Sequence, residues 1–196
     1  ERVISLVIEQ AKGRVKILAG AGSNNTADAI AMHKICKKIG ADGALHVTPY
    51  YNKPTQAGLL AHFTAIAQSC DLPIILYNVP GRTSVNLLPE TVIKLSKIDT
   101  IIGIKEASGS LTQATEIIKN VPRSFVVLSG EDALNYPLFC IGAQGSISVT
   151  ANVDPKRLAE QYASFKSGNH ERARALHQEL FDLHQIMFVE TNPIPV

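Results

Sequence analysis

Short apolar runs alternate along the chain with stretches in which apolar residues recur every third or fourth position, and glycine, proline, asparagine or serine separates most of them. The runs at 15–20, 43–48, 73–77, 101–105, 125–129 and 145–149 are rich in Val, Ile and Leu and five or six residues long, which predicts six strands. Helical spacing fills the intervals at 27–39, 55–69, 89–96, 111–119, 133–141 and 155–166. Strands that return roughly every 20 to 30 residues, each followed by a helix, are the mark of parallel βαβ units. Val3, Ile4, Val7 and Ile8 predict the end of a helix whose start lies outside this sequence. From 171 to 189 the pattern is helical only, so this last segment is expected to pack outside the sheet.

Polar residues decide between the two parallel architectures. Thr48 and Tyr50, Tyr77 and Asn78, Lys105 and Glu106, Ser129 and Gly130, and Thr150 and Asn152 all fall at or just beyond a strand's carboxyl end. A doubly wound sheet gathers its ligand groups at one switch point, whereas a TIM barrel spreads them over the rim of several strands, so the barrel is favoured. Six strands cannot close an eight-stranded barrel, and two more are expected to precede this sequence. The expected organisation is an α/β partial (β/α)8 barrel at 1–168 and the start of a C-terminal helical region at 169–196.

Lys105 is the anomaly, ending the apolar run Ile101-Ile102-Gly103-Ile104 that reads as a strand buried on both faces. By simple alternation it shares a face with Gly103 and Ile101, and the glycine is expected to leave room beneath the lysine stem. Two readings stand here. A buried lysine loses hydration and moves toward the neutral amine, the form that builds a Schiff base. Alternatively Lys105 is a solvent-facing strand-end charge that pairs with Glu106 or Glu131. Tyr77 and Arg82, each taken alone, read more simply as a core-edge aromatic and a solvated cation. The turn Gly20-Ala21-Gly22-Ser23-Asn24 follows a strand as dinucleotide-binding turns do, but without their third glycine, which favours a plain tight βα turn.

With 45% hydrophobic and 18% charged residues, the 196-residue composition is that of a globular chain with a full core. The net charge of +2 is spread without a run of five like charges, giving no warrant for nucleic acid or an anionic membrane. No apolar stretch reaches a membrane span of roughly 18 residues and no leader pattern opens the chain, so a cytoplasmic location is expected. Cys36, Cys70 and Cys140 lack disulfide or zinc spacing and are expected to be buried thiols. The six histidines show no ligand spacing, so no metal is expected, and His177 and His184 share a helix face as surface or interface groups.

Several ordered motifs together resemble the dihydrodipicolinate synthase family: Ala19-Gly20-Ala21-Gly22-Ser23-Asn24, Val47-Thr48-Pro49-Tyr50-Tyr51-Asn52, Tyr77-Asn78-Val79-Pro80-Gly81-Arg82-Thr83, Gly103-Ile104-Lys105-Glu106-Ala107-Ser108-Gly109 and the closing Glu190 to Val196. The resemblance implies a TIM barrel that condenses pyruvate with aspartate semialdehyde on the diaminopimelate route to lysine, with no cofactor beyond the covalent Schiff base and with a homodimeric or homotetrameric assembly. It assigns the Schiff base to Lys105, proton relay to Tyr77, and a reach into the neighbouring subunit's site to Tyr51. Substrate binding falls to Arg82, Gly130 and Ile147, while Asn24, Asp28 and Tyr50 match a cleft where some members bind lysine as a feedback inhibitor. Asp28 stands where lysine-sensitive members tend to carry glutamate, which implies weaker inhibition. The relay threonine of the family lies in a part outside this sequence. The bare Gly-x-Lys stretch equally suits N-acetylneuraminate lyase and sugar-acid aldolases, or a catalytically silent barrel; the Arg82 motif tips the choice toward the synthase.

Overall fold

The computed structural model describes residues 1–196 and divides into two compact units, Glu1–Val126 and Val127–Val196. The first unit runs α1 (Arg2–Ala11), β1 (Leu18–Gly20), α2 (Thr26–Lys38), β2 (Gly43–Val47), α3 (Gln56–Ala67), β3 (Ile74–Asn78), α4 (Pro80–Thr83), α5 (Pro89–Leu95), β4 (Ile101–Glu106) and α6 (Leu111–Asn120). β5 (Val126–Ser129) begins at the last residue of this unit and is the fifth strand of a sheet ordered as the chain is ordered. The pairs β1–β2, β2–β3 and β3–β4 are all parallel, as the strand–helix alternation requires. The fold class is therefore α/β.

Local chemistry starts the helices where the sequence predicts them. The Asn25 side chain accepts from Ala27 N and Asp28 N at α2, Thr55 from Gly58 N at α3, and Ser110 from Gln113 N at α6. α2 ends before Gly40, whose φ of +88° suits glycine alone at no cost. β1 is shorter than predicted because Asp42 takes the backbone ahead of it: its carboxylate accepts from Ile17 N at 2.9 Å, and Asp42 N donates to Ile17 O at 3.0 Å.

β4 departs from a strand buried on both faces. Its register against β3 runs Ile74↔Ile101 and then Ile75↔Gly103, so one residue, Ile102, is extra, and it is 41% exposed while Ile101 and Ile104 are buried. The bulge also changes the faces: Ile101 pairs with Ile74, and only Gly103 shares the Lys105 side.

In the second unit the predicted strand at 145–149 shrinks to a single parallel bridge, Ser129↔Ser146. Three backbone hydrogen bonds join the segment to β5: Gln144 N to Val127 O, Ser129 N to Gly145 O and Ile147 N to Ser129 O, each at 2.9 Å. A 3-10 turn at Asp132–Leu134 leads into α7 (Asn135–Cys140), and a second at Thr150–Asn152 precedes α8 (Pro155–Lys166), α9 (His170–Glu179) and α10 (Phe181–Ile186). The single helix expected over 171–189 is thus two, joined at the buried Leu180. His184 is buried rather than at the surface, its Nδ1 bonded to the Thr150 hydroxyl at 2.8 Å. Of the cysteines only Cys36 is buried; Cys70 is half-buried, packed at the edge of the core cluster that holds Cys36, and Cys140 is exposed at the last residue of α7.

Behind β2, His33 and His46 are fully buried with Nε2 of His46 3.1 Å from Nδ1 of His33, and His62 bonds Thr26 through Nδ1 at 2.9 Å. Burial, with a smaller contribution from the neighbouring histidines, pulls His46 from 6.5 to about 3; burial also lowers His33 and His62. These rings stay neutral in the folded chain where the unfolded chain protonates them. Their stabilisation is complete above about 6.5 and is lost as pH falls below that, for His46 down toward about 3, by up to about 1.4 kcal/mol per pH unit for each titrating ring. His46→Gln is expected to flatten the fall in urea stability between pH 6 and 4 by close to one proton. An unchanged slope would show that His46 is not held neutral.

Candidate active site

The carboxyl ends of β3 and β4 bring two sequence-predicted residues together. Tyr77 pairs with Lys105 in the strand register, and the Lys105 Nζ lies over the Tyr77 ring, 4.1 Å from its centre. Such an approach is a cation–π contact whenever the amine is charged. Lys105 is only 8% exposed, which removes the solvent-facing alternative. Glu106, next along the strand, projects to the opposite face, where its carboxylate accepts from Ser108 N and from the Asn78 and Gln113 side chains.

Gly103 does not leave a void under the lysine. A Cβ placed there would meet Val126 O at 2.5 Å and Ile75 Cδ1 at 3.0 Å, so the space is already filled by the β5 backbone and a side chain from β3. The glycine serves close strand approach. Gly22 acts similarly in the β1–α2 turn: a Cβ there would lie 2.6 Å from Val47 N, so this turn needs glycine to pack on β2, which supports the tight-turn reading.

Tyr77 also lines an open cavity of about 490 Å³ together with Leu45, Val47, Tyr50, Val79, Arg82 and Thr83. Arg82 belongs to the single-turn helix α4, which opens on Pro80 and closes at Ser84 with φ of 60°. A planar guanidinium at the mouth of an apolar cavity suits a carboxylate. Thr48, fully buried, donates to the Thr83 hydroxyl at 3.3 Å and fixes the end of β2 to that turn.

Tyr51 is 88% exposed and has φ of +73°, rare for a residue with a side chain, and Lys53 has φ of +46°. The loop is tied down by its neighbours: Tyr51 N reaches Thr83 O at 3.4 Å, Asn24 Nδ2 donates to Tyr50 O at 3.1 Å, and Asn52 Nδ2 donates to Asn24 O at 3.0 Å. Asn24 and Tyr50 are thus in direct contact, while Asp28 is exposed in the first turn of α2. In the second unit, Ile147 N donates to Ser129 O at 2.9 Å, which sets Ile147 beside the strand end that precedes Gly130. No group of three or more histidine, cysteine, aspartate or glutamate side chains could hold a metal ion, and no helix is long and apolar enough to cross a membrane.

Parallel strands alternating with helices, with polar groups gathered at their carboxyl ends, are the arrangement of α/β barrel proteins. The dihydrodipicolinate synthetase family model matches residues 1–196, and the chain belongs to that family. It is 53% identical over 196 residues to the 4-hydroxy-tetrahydrodipicolinate synthase of Geotalea uraniireducens, covering 100% of the chain and 68% of that relative. The chloride-inhibited dihydrodipicolinate synthase of Acinetobacter baumannii, solved with pyruvate, superposes with a TM-score of 0.96 at 45% identity over 99% of this chain and 67% of that one. The enzyme of Cyanidioschyzon merolae with lysine bound gives 0.95 at 42% identity, over 99% and 66%. The chain thus spans about two thirds of the length of these relatives.

Gly103→Ala is expected to cost about 1–3 kcal/mol, because a backbone carbonyl cannot move aside as a side-chain end can. Urea denaturation monitored by circular dichroism measures it, and a neutral result would mean that β5 is free to shift.

Proposed function

We propose that this chain serves 4-hydroxy-tetrahydrodipicolinate synthesis, a lyase reaction of lysine biosynthesis in which a Schiff base on Lys105 joins pyruvate to L-aspartate 4-semialdehyde. The observation that carries this reading is the buried Lys105 amine against the Tyr77 ring at paired strand ends. A neutral Lys105 amine attacks the pyruvate ketone and water leaves, giving an iminium. Loss of a methyl proton then yields an enamine, which attacks the aldehyde carbon, and the semialdehyde's own amine closes the ring and releases the lysine. Tyr77 is within reach to carry the protons. Arg82 at the cavity mouth holds a substrate carboxylate, and Gly130 and Ile147 contribute to binding.

The family match and parallel strands support a partial (β/α)8 barrel at 1–168 followed by a helical region from 169. Three free cysteines fit a reducing, cytoplasmic setting. The fixed, exposed Tyr51 fits a residue offered to a second subunit of a homodimer or homotetramer. Asn24, Asp28 and Tyr50 fit a weak lysine-binding cleft, since an aspartate stops one methylene short of a glutamate.

Borohydride reduction in the presence of pyruvate is expected to leave an adduct on Lys105 by mass spectrometry in the enzyme at its natural length. Lys105→Arg is expected to abolish both adduct and turnover, since a guanidinium stays protonated. Arg82→Ala is expected to weaken use of the aldehyde substrate by about 1.5–3 kcal/mol with less effect on pyruvate. Turnover retained by Lys105→Arg, or equal losses for both substrates in Arg82→Ala, would contradict these roles. For assembly and regulation, sedimentation is expected to give a dimer or tetramer that Tyr51→Phe preserves while losing activity. Asp28→Glu is expected to strengthen lysine inhibition, and an unchanged inhibition curve would exclude Asp28 from that cleft.

A further inference from the structure

Beyond the face that carries Lys105 and Tyr77, the next residue of each strand enters a buried polar unit. Asn78 pairs with Glu106 in the register, and both are buried, Glu106 to 2% exposure. The Glu106 carboxylate accepts from Ser108 N at 2.6 Å through Oε1, and through Oε2 from Asn78 Nδ2 at 3.1 Å and Gln113 Nε2 at 3.3 Å. Asn78 extends the unit to the segment between α4 and α5, since its Oδ1 accepts from Leu87 N at 2.9 Å and its Nδ2 donates to Asn86 Oδ1 at 2.8 Å. Asn86 Nδ2 closes the ring by donating to Gln113 Oε1 at 2.8 Å.

These contacts have a directional logic. Three donors converge on Glu106, and only a carboxylate accepts from all of them; a glutamine would turn its own N–H toward one donor. Burying a carboxylate is costly, and an apolar residue like the neighbouring Ile104 would fill the same face of β4 without that cost. What the carboxylate achieves is a fixed exit of the chain from β4: the Ser108 bond bends the backbone immediately after Lys105, and the Asn78 bond locks that bend to the residue after Tyr77. We propose that Glu106 is a positioning residue for imine formation, holding the end of β4 so that the Lys105 amine meets the substrate ketone beside Tyr77. The proposal rests on the Schiff-base reading of Lys105.

The test is the rate at which pyruvate becomes reducibly attached to Lys105, followed by borohydride quench and mass spectrometry in the natural-length enzyme, well below the melting temperature of every variant. Glu106→Gln is expected to slow attachment at saturating pyruvate at least tenfold, with the half-saturating pyruvate concentration within twofold of wild type. Adding Gln113→Glu to that variant returns a carboxylate to the same ring of bonds and is expected to recover the rate to within threefold of wild type. A fold-stabilising role alone leaves the rate of the folded protein unmoved. A wild-type rate in folded Glu106→Gln, or a loss that Gln113→Glu does not restore, overturns the proposal. Should Glu106→Gln fail to fold, Gln113→Met, which removes one donor, is read in its place: a fall of about threefold supports the role and an unchanged rate overturns it. Absence of any adduct in the wild type instead defeats the Schiff-base reading itself, so the two failures are told apart.

Discussion

The chemistry of the first unit depends on the register between β3 and β4. Because successive side chains point to opposite faces, a slip of one residue would carry Lys105 away from Tyr77 and bring Glu106 into its place. The register that holds is the one in which Ile75 meets Gly103, Tyr77 meets Lys105 and Asn78 meets Glu106. It is reached only because Ile102 is left out of the pairing, so a bulge earlier in β4 decides which residue meets Tyr77. Gly103 follows the bulge at once, and the β5 backbone closes in where a side chain would stand.

Two polar layers follow from that register on opposite faces of the same strand ends. One carries the amine over the ring of Tyr77, which lines an apolar cavity; the other carries amides and a carboxylate bonded to one another. A low-dielectric interior makes both layers sensitive to placement, since unpaired polar groups there are expensive and paired ones are strongly directional. The same reasoning applies behind β2, where the histidines are kept neutral by burial and bonded to one another or to a hydroxyl.

Much of this was legible in the sequence. Strand and helix alternation and the grouping of polar residues at strand ends follow from local pattern, and the structure bears them out over five strands. The bulge was not legible, because Ile101, Ile102 and Ile104 are equally apolar and no polar residue marks the change of face. The segment at 145–149 shows a different limit: Ser146, Ile147, Ser148 and Val149 alternate well, but pairing with β5 ends at Ile147 because β5 itself ends at Ser129. His184 reads as a surface or interface group because single-residue polarity carries no trace of a hydroxyl that waits across the fold. Asn78 and Glu106 were visible as polar strand ends; that they bond each other is a fact of register alone.

The Tyr51 loop extends the dependence on neighbours. Two residues with side chains at positive φ within three positions cost of order 1–3 kcal/mol each, and within the loop itself Asn52 N donates to Tyr50 O at 2.9 Å across Tyr51. Further bonds tie the loop to its neighbours: Asn24 from the β1–α2 turn, Thr83 from α4, and Asn52 returning to Asn24. The β1–α2 turn can supply Asn24 only because Gly22 lets it sit against Val47, and α4 can supply Thr83 only because Thr48 holds that turn to β2. The strain in the loop is therefore carried by the same glycine-permitted close packing that sets the strand ends. An exposed tyrosine held this way has already lost its backbone freedom, so whatever it meets is spared that ordering cost.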